Sequence, residues 1–163
     1  MKLLKWVCPN KLINSYLSKN PNAIKFLKAN PDKIDWYYLS ENPEAMDIIK
    51  KNLDKISWFN LSRNPNAIEL LEKNKHKIHW GNLSSNPNAI QLIKENVNNI
   101  DWEMLSENPC AIEILQANQE NVKWYNLSKN PAIFTYNYEK LQNSNLELKE
   151  EIIAKALHPK TDI

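Results

Sequence analysis

A chain of 163 residues, 42% hydrophobic and 25% charged, is long enough and apolar enough to bury a core, which excludes an intrinsically disordered segment. Its 21 basic and 19 acidic residues are mixed along the whole length for a net charge of +2, so neither a nucleic-acid face nor an anionic-membrane face is expected. Cys8 and Cys110 are too few and too unpatterned for a disulfide framework, no apolar run approaches a membrane span, and the N-terminal MKLLKWVCPNK is too short for a signal peptide; the expected setting is a reducing cytoplasm.

The chain copies itself every 22 residues. Asn-Pro returns at 20/21, 42/43, 64/65, 86/87, 108/109 and 130/131, and tryptophan at 36, 58, 80, 102 and 124. Leu-Ser returns at 17/18, 39/40, 61/62, 83/84, 105/106 and 127/128, and a second asparagine at 30, 52, 74, 96 and 118. A period this strict marks a solenoid, whose units bury their apolar sides only against one another.

Residues 1–19 read as a degenerate N-terminal capping repeat. Cys8-Pro9-Asn10-Lys11-Leu12 align with Asn30-Pro31-Asp32-Lys33-Ile34, and Asn14 takes the tryptophan slot. Five full repeats then fill residues 20–129, opening at Asn20, Asn42, Asn64, Asn86 and Asn108. Each Asn-Pro pair is a helix start: the amide oxygen accepts an N–H that has no helical partner, and proline in the first turn forgoes only an unused donor.

Ala23, Ile24, Phe26 and Leu27 then share one side, with Asn22, Lys25 and Lys28 on the other, so the first helix is short and amphipathic. Asn30 and its equivalents are expected to close it in the left-handed conformation, where asparagine is the best substitute for glycine. Ile34, Trp36 and Leu39 supply the apolar positions of a second, shorter helical segment, α or 3₁₀. Asp35, Ser57 and Asp101 are good N-caps for it, whereas His79 and Lys123 are poor ones.

Helices of roughly nine and six residues fall below the length stable alone in water, so stacking is compulsory. The tryptophan column is expected in the core, with the asparagines beside it.

Residues 130–159 read as a C-terminal capping segment. Leu146, Leu148, Ile152, Ile153, Ala156 and Leu157 form the apolar side of a longer helix ending before Pro159, and 160–163 is a tail. The expected fold is therefore all-α: one domain, a right- or left-handed α-solenoid of five two-helix repeats with a cap at each end. A leucine-rich repeat has a compatible period but needs an L-x-L strand core, which Ile-x-Trp-x-x-Leu-Ser lacks.

The pattern N-P-x-A-I-x-x-L-x-x-N-x-x-x-I-x-W-x-x-L-S is carried in the third copy by Asn64, Pro65, Ala67, Ile68, Leu71, Asn74, Ile78, Trp80, Leu83 and Ser84. With Asn130–Phe134, Tyr136, Tyr138 and Glu150–Pro159 after it, this pattern resembles a family of short-repeat proteins encoded in many copies by giant DNA viruses of protists. The resemblance spans essentially the whole chain. It implies a repeat architecture and a viral source, and supplies neither an activity nor a functional residue.

The chemistry-bearing residues point away from catalysis. His76 and His79 are three apart but occupy linker and cap slots with no third ligand nearby in sequence. Cys110 sits at a helix start without a histidine partner, the carboxylates are scattered, and with Gly81 the lone glycine there is no phosphate-cradling loop. No metal, cofactor or enzyme activity is expected.

What folding does not explain is the variation after each tryptophan: Tyr37-Tyr38, Phe59-Asn60, Gly81-Asn82, Glu103-Met104 and Tyr125-Asn126. Tyr37, Tyr38, Phe59, Met104 and Tyr125 are the candidate partner-binding residues. Trp36, Trp58, Trp80, Trp102 and Trp124, with Asn20, Asn42, Asn64, Asn86 and Asn108, are the structural ladder. The expected function is a non-enzymatic scaffold for an unknown protein partner, host or viral, in the host cytoplasm. The alternative is a self-assembling structural component, virion-associated.

Overall fold

The computed structural model describes residues 3–134 together with Leu146 and Lys149. The chain divides into two compact units, Met1–Ile133 and Phe134–Ile163. In the second, Leu146 and Lys149 are helical and exposed, and the rest of the expected C-terminal capping helix and tail lies outside the described residues. No helix among the described residues is long and apolar enough to cross a membrane.

The first unit is the repeat stack, and every element in it is helical. Each repeat opens with its Asn-Pro pair. Proline forces the preceding residue out of the helical region, and Asn20, Asn42, Asn86 and Asn108 accordingly hold φ between −80 and −76° with ψ of 116–117°. That extended conformation is the one an N-cap needs, and each side-chain oxygen accepts the N–H two residues on.

In four of the five repeats the first turn is 3₁₀, as at Pro21–Ala23 and Pro109–Ala111, and it passes into α-helix after the alanine. The α-helical part is therefore shorter than the nine residues expected: Ile24–Ala29, Met46–Ile49, Ile68–Glu72, Ile90–Lys94 and Ile112–Ala117. The second segment is α-helical in every repeat, beginning at the tryptophan: Trp36–Leu39, Trp58–Leu61, Trp80–Ser84, Trp102–Glu107 and Trp124–Leu127.

Asn30, Asn74, Asn96 and Asn118 do not close the first helix in the left-handed region. Their φ values lie between −136 and −131°, and no described residue has a positive φ. Instead each side chain turns back and donates from Nδ2 to the carbonyl four residues earlier: Asn30 to Phe26 at 2.8 Å, Asn74 to Leu70 at 2.9 Å and Asn118 to Ile114 at 2.7 Å. A side-chain bond thus satisfies an orphan carbonyl that a backbone reversal would otherwise cover.

Three rows run through the core, with Ile48, Ile56, Ile78, Leu92, Ile114 and Val122 buried beside them. Ala23, Ala45, Ala67, Ala89 and Ala111 form one; Leu27, Ile49, Leu71, Ile93 and Leu115 the second; Leu39, Leu61, Leu83 and Leu105 the third, all buried. The tryptophans are not in it. Trp36, Trp58, Trp80 and Trp102 pack against the core but stay half-buried, and Trp124 is 68% exposed.

Each ring sits at the first residue of its helix, and over two of them a lysine of the next layer closes. Lys55 Nζ lies 5.4 Å above the Trp36 ring and Lys77 Nζ 4.7 Å above that of Trp58. Trp124 belongs to the last described layer.

The layers are joined by buried polar groups. Asn64, Asn86, Asn108 and Asn130 each donate from Nδ2 to two carbonyls of the layer before, 24 and 22 residues upstream. For Asn86 these are Ser62 O at 3.1 Å and Asn64 O at 2.9 Å. Asn42 makes the first such bond, to Ser18 O at 2.8 Å.

The Leu-Ser serines work in the opposite direction. Ser40, Ser62, Ser84 and Ser106 donate to the tryptophan carbonyl of their own helix and accept the backbone N–H of the residue 17 further on, in the next layer. All four are fully buried. Among the described residues no buried side-chain nitrogen or oxygen lacks a partner.

Two stability differences follow from this frame. Asn86→Ala removes an N-cap and two cross-layer bonds and strands buried carbonyls, and should cost about 3 kcal/mol or more. Asn20→Ala, at an exposed ladder position with only its cap to lose, should cost about 1 kcal/mol. Urea unfolding of both checks the ladder, and equal costs would refute it. Leu83→Ala, at a fully buried site, should cost about 3 kcal/mol, and Trp80→Ala only about 2 kcal/mol because part of the side chain already faces solvent. A larger loss for Trp80→Ala would return the tryptophan column to the core.

Candidate interaction surface

The varying positions lie at the start of the second helix of each layer. One column runs through Tyr37, Phe59, Gly81, Glu103 and Tyr125, and the next through Tyr38, Asn60, Asn82, Met104 and Asn126. The second column divides by chemistry. Asn60 and Asn82 are buried and donate to the backbone of the layer before, Asn60 to Tyr37 O and Asn82 to Phe59 O, each at 2.7 Å.

These bonds tie down the backbone beneath the aromatic residues. Tyr37, Tyr38 and Phe59 are 49, 38 and 44% exposed. Tyr37 and Tyr38 meet edge to face, with ring centroids 5.3 Å apart and planes at 81°. Phe59 follows one layer on, its ring tilted against His79 with centroids 4.4 Å apart. The structure thus brings Tyr37, Tyr38 and Phe59 onto consecutive layers of a fixed frame.

Met104 and Tyr125 do not join this group. Met104 is half-buried, and Tyr125, 79% exposed, stands beyond the two layers headed by Gly81 and Glu103. The ring of Tyr125 carries Lys129 Nζ at 4.7 Å.

His79 is a residue whose role the sequence pattern hides. It is exposed, as expected, but its Nδ1 accepts the N–H of Asn82 at 3.2 Å, so it caps its helix in the slot where Asp35, Ser57 and Asp101 cap theirs. Gly81 eases this: a Cβ there would stand 3.2 Å from His79 Cε1, so the missing side chain leaves the imidazole room beside Phe59. The signal was present in sequence as the pairing of the lone glycine with the lone histidine cap.

Other chemistry-bearing residues stay apart. His76 is exposed, and no cluster of three or more His, Cys, Asp or Glu side chains able to hold a metal occurs among the described residues. Cys110 is an exposed free thiol, its N–H bonded to Asn108 Oδ1.

The resolved electrostatics are local. Hydrogen bonds from Lys129 and Asn126, each 2.8 Å long, hold the Glu107 carboxyl below the usual carboxylate range, and Lys73 does the same to Glu69 at 2.6 Å.

The cap column also makes a prediction. The Lys123 side chain makes no cap bond to its helix, since an ammonium has no acceptor. Lys123→Asp should accept the N–H groups that Asp35 and Asp101 accept and raise stability by about 1 kcal/mol. A denaturant midpoint at or below the wild-type value would contradict it.

Comparison with protein-family models, with curated proteins and with solved structures finds no match for this chain.

Proposed function

We propose that the repeat stack is a non-enzymatic scaffold that binds another protein through Tyr37, Tyr38 and Phe59. The observation that carries this reading is an aromatic surface left over once the frame is accounted for. The buried asparagines, serines, leucines and alanines are all explained by stacking, whereas the exposed faces of three rings on adjacent layers are not. Large rings held on an already ordered backbone are the anchors that protein interfaces favour, because ordering them on binding costs little.

The near-zero net charge and interspersed signs favour a protein partner over nucleic acid. The resemblance to repeat proteins of giant viruses supports a viral source and a place in the host cytoplasm. A scaffold of this kind acts by holding its partner, without a cofactor.

The test is capture of binding proteins by the purified chain, compared with the triple variant Tyr37→Ala, Tyr38→Ala, Phe59→Ala. The variant should keep its helical circular dichroism and its unfolding midpoint to within about 1 kcal/mol, since surface truncations away from the frame have small effects. It should lose the partner that wild type retains. Retention of that partner by a folded triple variant would rule this surface out.

A further inference from the structure

The frame is the same in every layer, but the charge beside it is not. Where the first helix of the layer at 20–41 meets that of the layer at 42–63, the surface opens into a hollow of about 460 Å³. Its apolar wall is made by Leu27, Pro31, Ile34, Trp36 and Ile48. Lys28, Lys51 and Lys55, all exposed, line it together with one carboxylate, Asp47.

The hollow returns one layer on. Lys50, Leu53, Glu69, Leu70 and Lys73 line a space of about 200 Å³. Each lies 22 residues after a lining residue of the first hollow, in order Lys28, Pro31, Asp47, Ile48 and Lys51. The layers that form the two hollows have described helices on both sides, so neither hollow owes its openness to an end of the stack.

Both carboxylates are already held, Asp47 by Lys28 at 3.1 Å and Glu69 by Lys73 at 2.6 Å. Lys50, Lys51 and Lys55 make no ion pair among the described residues. Lys55 lies instead over the ring of Trp36, as Lys77 does over that of Trp58. The cations then stop. The position after Lys51 and Lys73 in their column is Glu95, and the one after Lys55 and Lys77 is Asn99. Folding does not require this change, because the layers before and after it share one frame.

We propose that the two hollows form a groove for an acidic segment of a partner protein that carries an apolar side chain at every third residue. This inference does not rest on the surface of Tyr37, Tyr38 and Phe59. Packed helices stand about 8 to 10 Å apart. A polyproline II strand rises about 9.3 Å in each three-residue turn and returns residues i and i+3 to one side. Such a strand lying along the stack sets one apolar side chain in each hollow, and the residues between supply carboxylates to Lys50, Lys51 and Lys55. A phosphodiester strand is disfavoured. It has no aliphatic side chain for the hollows, the Trp36 ring on which a base would stack is covered by Lys55, and Asp47 and Glu69 stand among the lysines.

The probe is a fluorescein-labelled, amidated peptide of three Glu-Glu-Leu units, read by fluorescence anisotropy on the full chain. It should bind, and the matching peptide of Glu-Glu-Ser units should bind about tenfold more weakly. Lys51→Glu with Lys55→Glu should weaken the Glu-Glu-Leu peptide about tenfold or more while leaving circular dichroism unchanged. Pro31→Leu, which brings to the first hollow the side chain that Leu53 brings to the smaller one, should weaken it about fivefold without altering charge. The triple alanine variant of Tyr37, Tyr38 and Phe59 should bind it as wild type does.

Absence of binding up to about 1 mM peptide overturns the proposal. So does equal affinity for the Glu-Glu-Ser peptide, affinity kept by the double lysine variant or by Pro31→Leu, or an oligouridylate that binds more tightly than the Glu-Glu-Leu peptide. Loss of the peptide in a folded triple alanine variant would transfer its binding to the aromatic surface and overturn the groove.

Discussion

A primary amide shut away from water must find partners for an oxygen and two N–H groups, because leaving them bare costs more than any packing contact nearby returns. In this chain the amides of Asn42, Asn64, Asn86, Asn108 and Asn130 are almost completely buried. Each oxygen faces forward into its own helix start, and each nitrogen faces backward into the preceding layer. That division of labour fixes the distance and register between layers far more narrowly than apolar contact can. Alanine and leucine rows tolerate sliding, and an amide aimed at two carbonyls does not.

The shortness of the helices is the counterpart of this rigidity. A four-residue helix such as Trp36–Leu39 cannot hold itself, and nearly all its backbone groups count as ends. The chain answers with side chains. Asp35 or its equivalent caps the start, Ser40 bonds the Trp36 carbonyl at 2.6 Å, and the same serine oxygen takes the N–H of Ser57 at 2.9 Å. A layer therefore completes its own hydrogen bonds only when its neighbours are present. Cooperativity along the stack arises from the polar groups as much as from the buried leucines.

Much of this was legible in the sequence. The period, the layer boundaries and the Asn-Pro helix starts follow directly, because proline and an N-cap residue leave few conformations open. Other parts were not. Asn30 and its equivalents recur for a reason that the period cannot name: a left-handed closure and a side-chain bond to the carbonyl four residues back both select asparagine, and only geometry separates them. The tryptophans recur as regularly as the leucines, yet a rim residue covered by a lysine from the next layer leaves the same periodic trace as a core residue. Periodicity reports that a position is constrained and is silent about the direction from which the constraint comes. For the same reason the backward reach of the ladder amides, across 22 and 24 residues, was invisible while each was read only as a cap.

The surface was legible in a different way, by subtraction. Once the frame residues are assigned, the rings of Tyr37, Tyr38 and Phe59 still present exposed faces on adjacent layers, and the structure places them together while setting Tyr125 apart. His79 shows where subtraction fails. A residue that departs from the column average looked like surface variation, but with Gly81 and Phe59 it forms a local solution to helix capping, since one substitution is matched by another a layer away. In a stack whose layers share their hydrogen bonds, variation is free only where the side chain touches no neighbour. Tyr125 and Trp124 stand in the last repeat whose helices are described, whereas Tyr37 is exposed on a layer with described neighbours on both sides. The exposure of Tyr37 therefore persists with the frame complete around it, and its open face has whatever chemistry a partner brings.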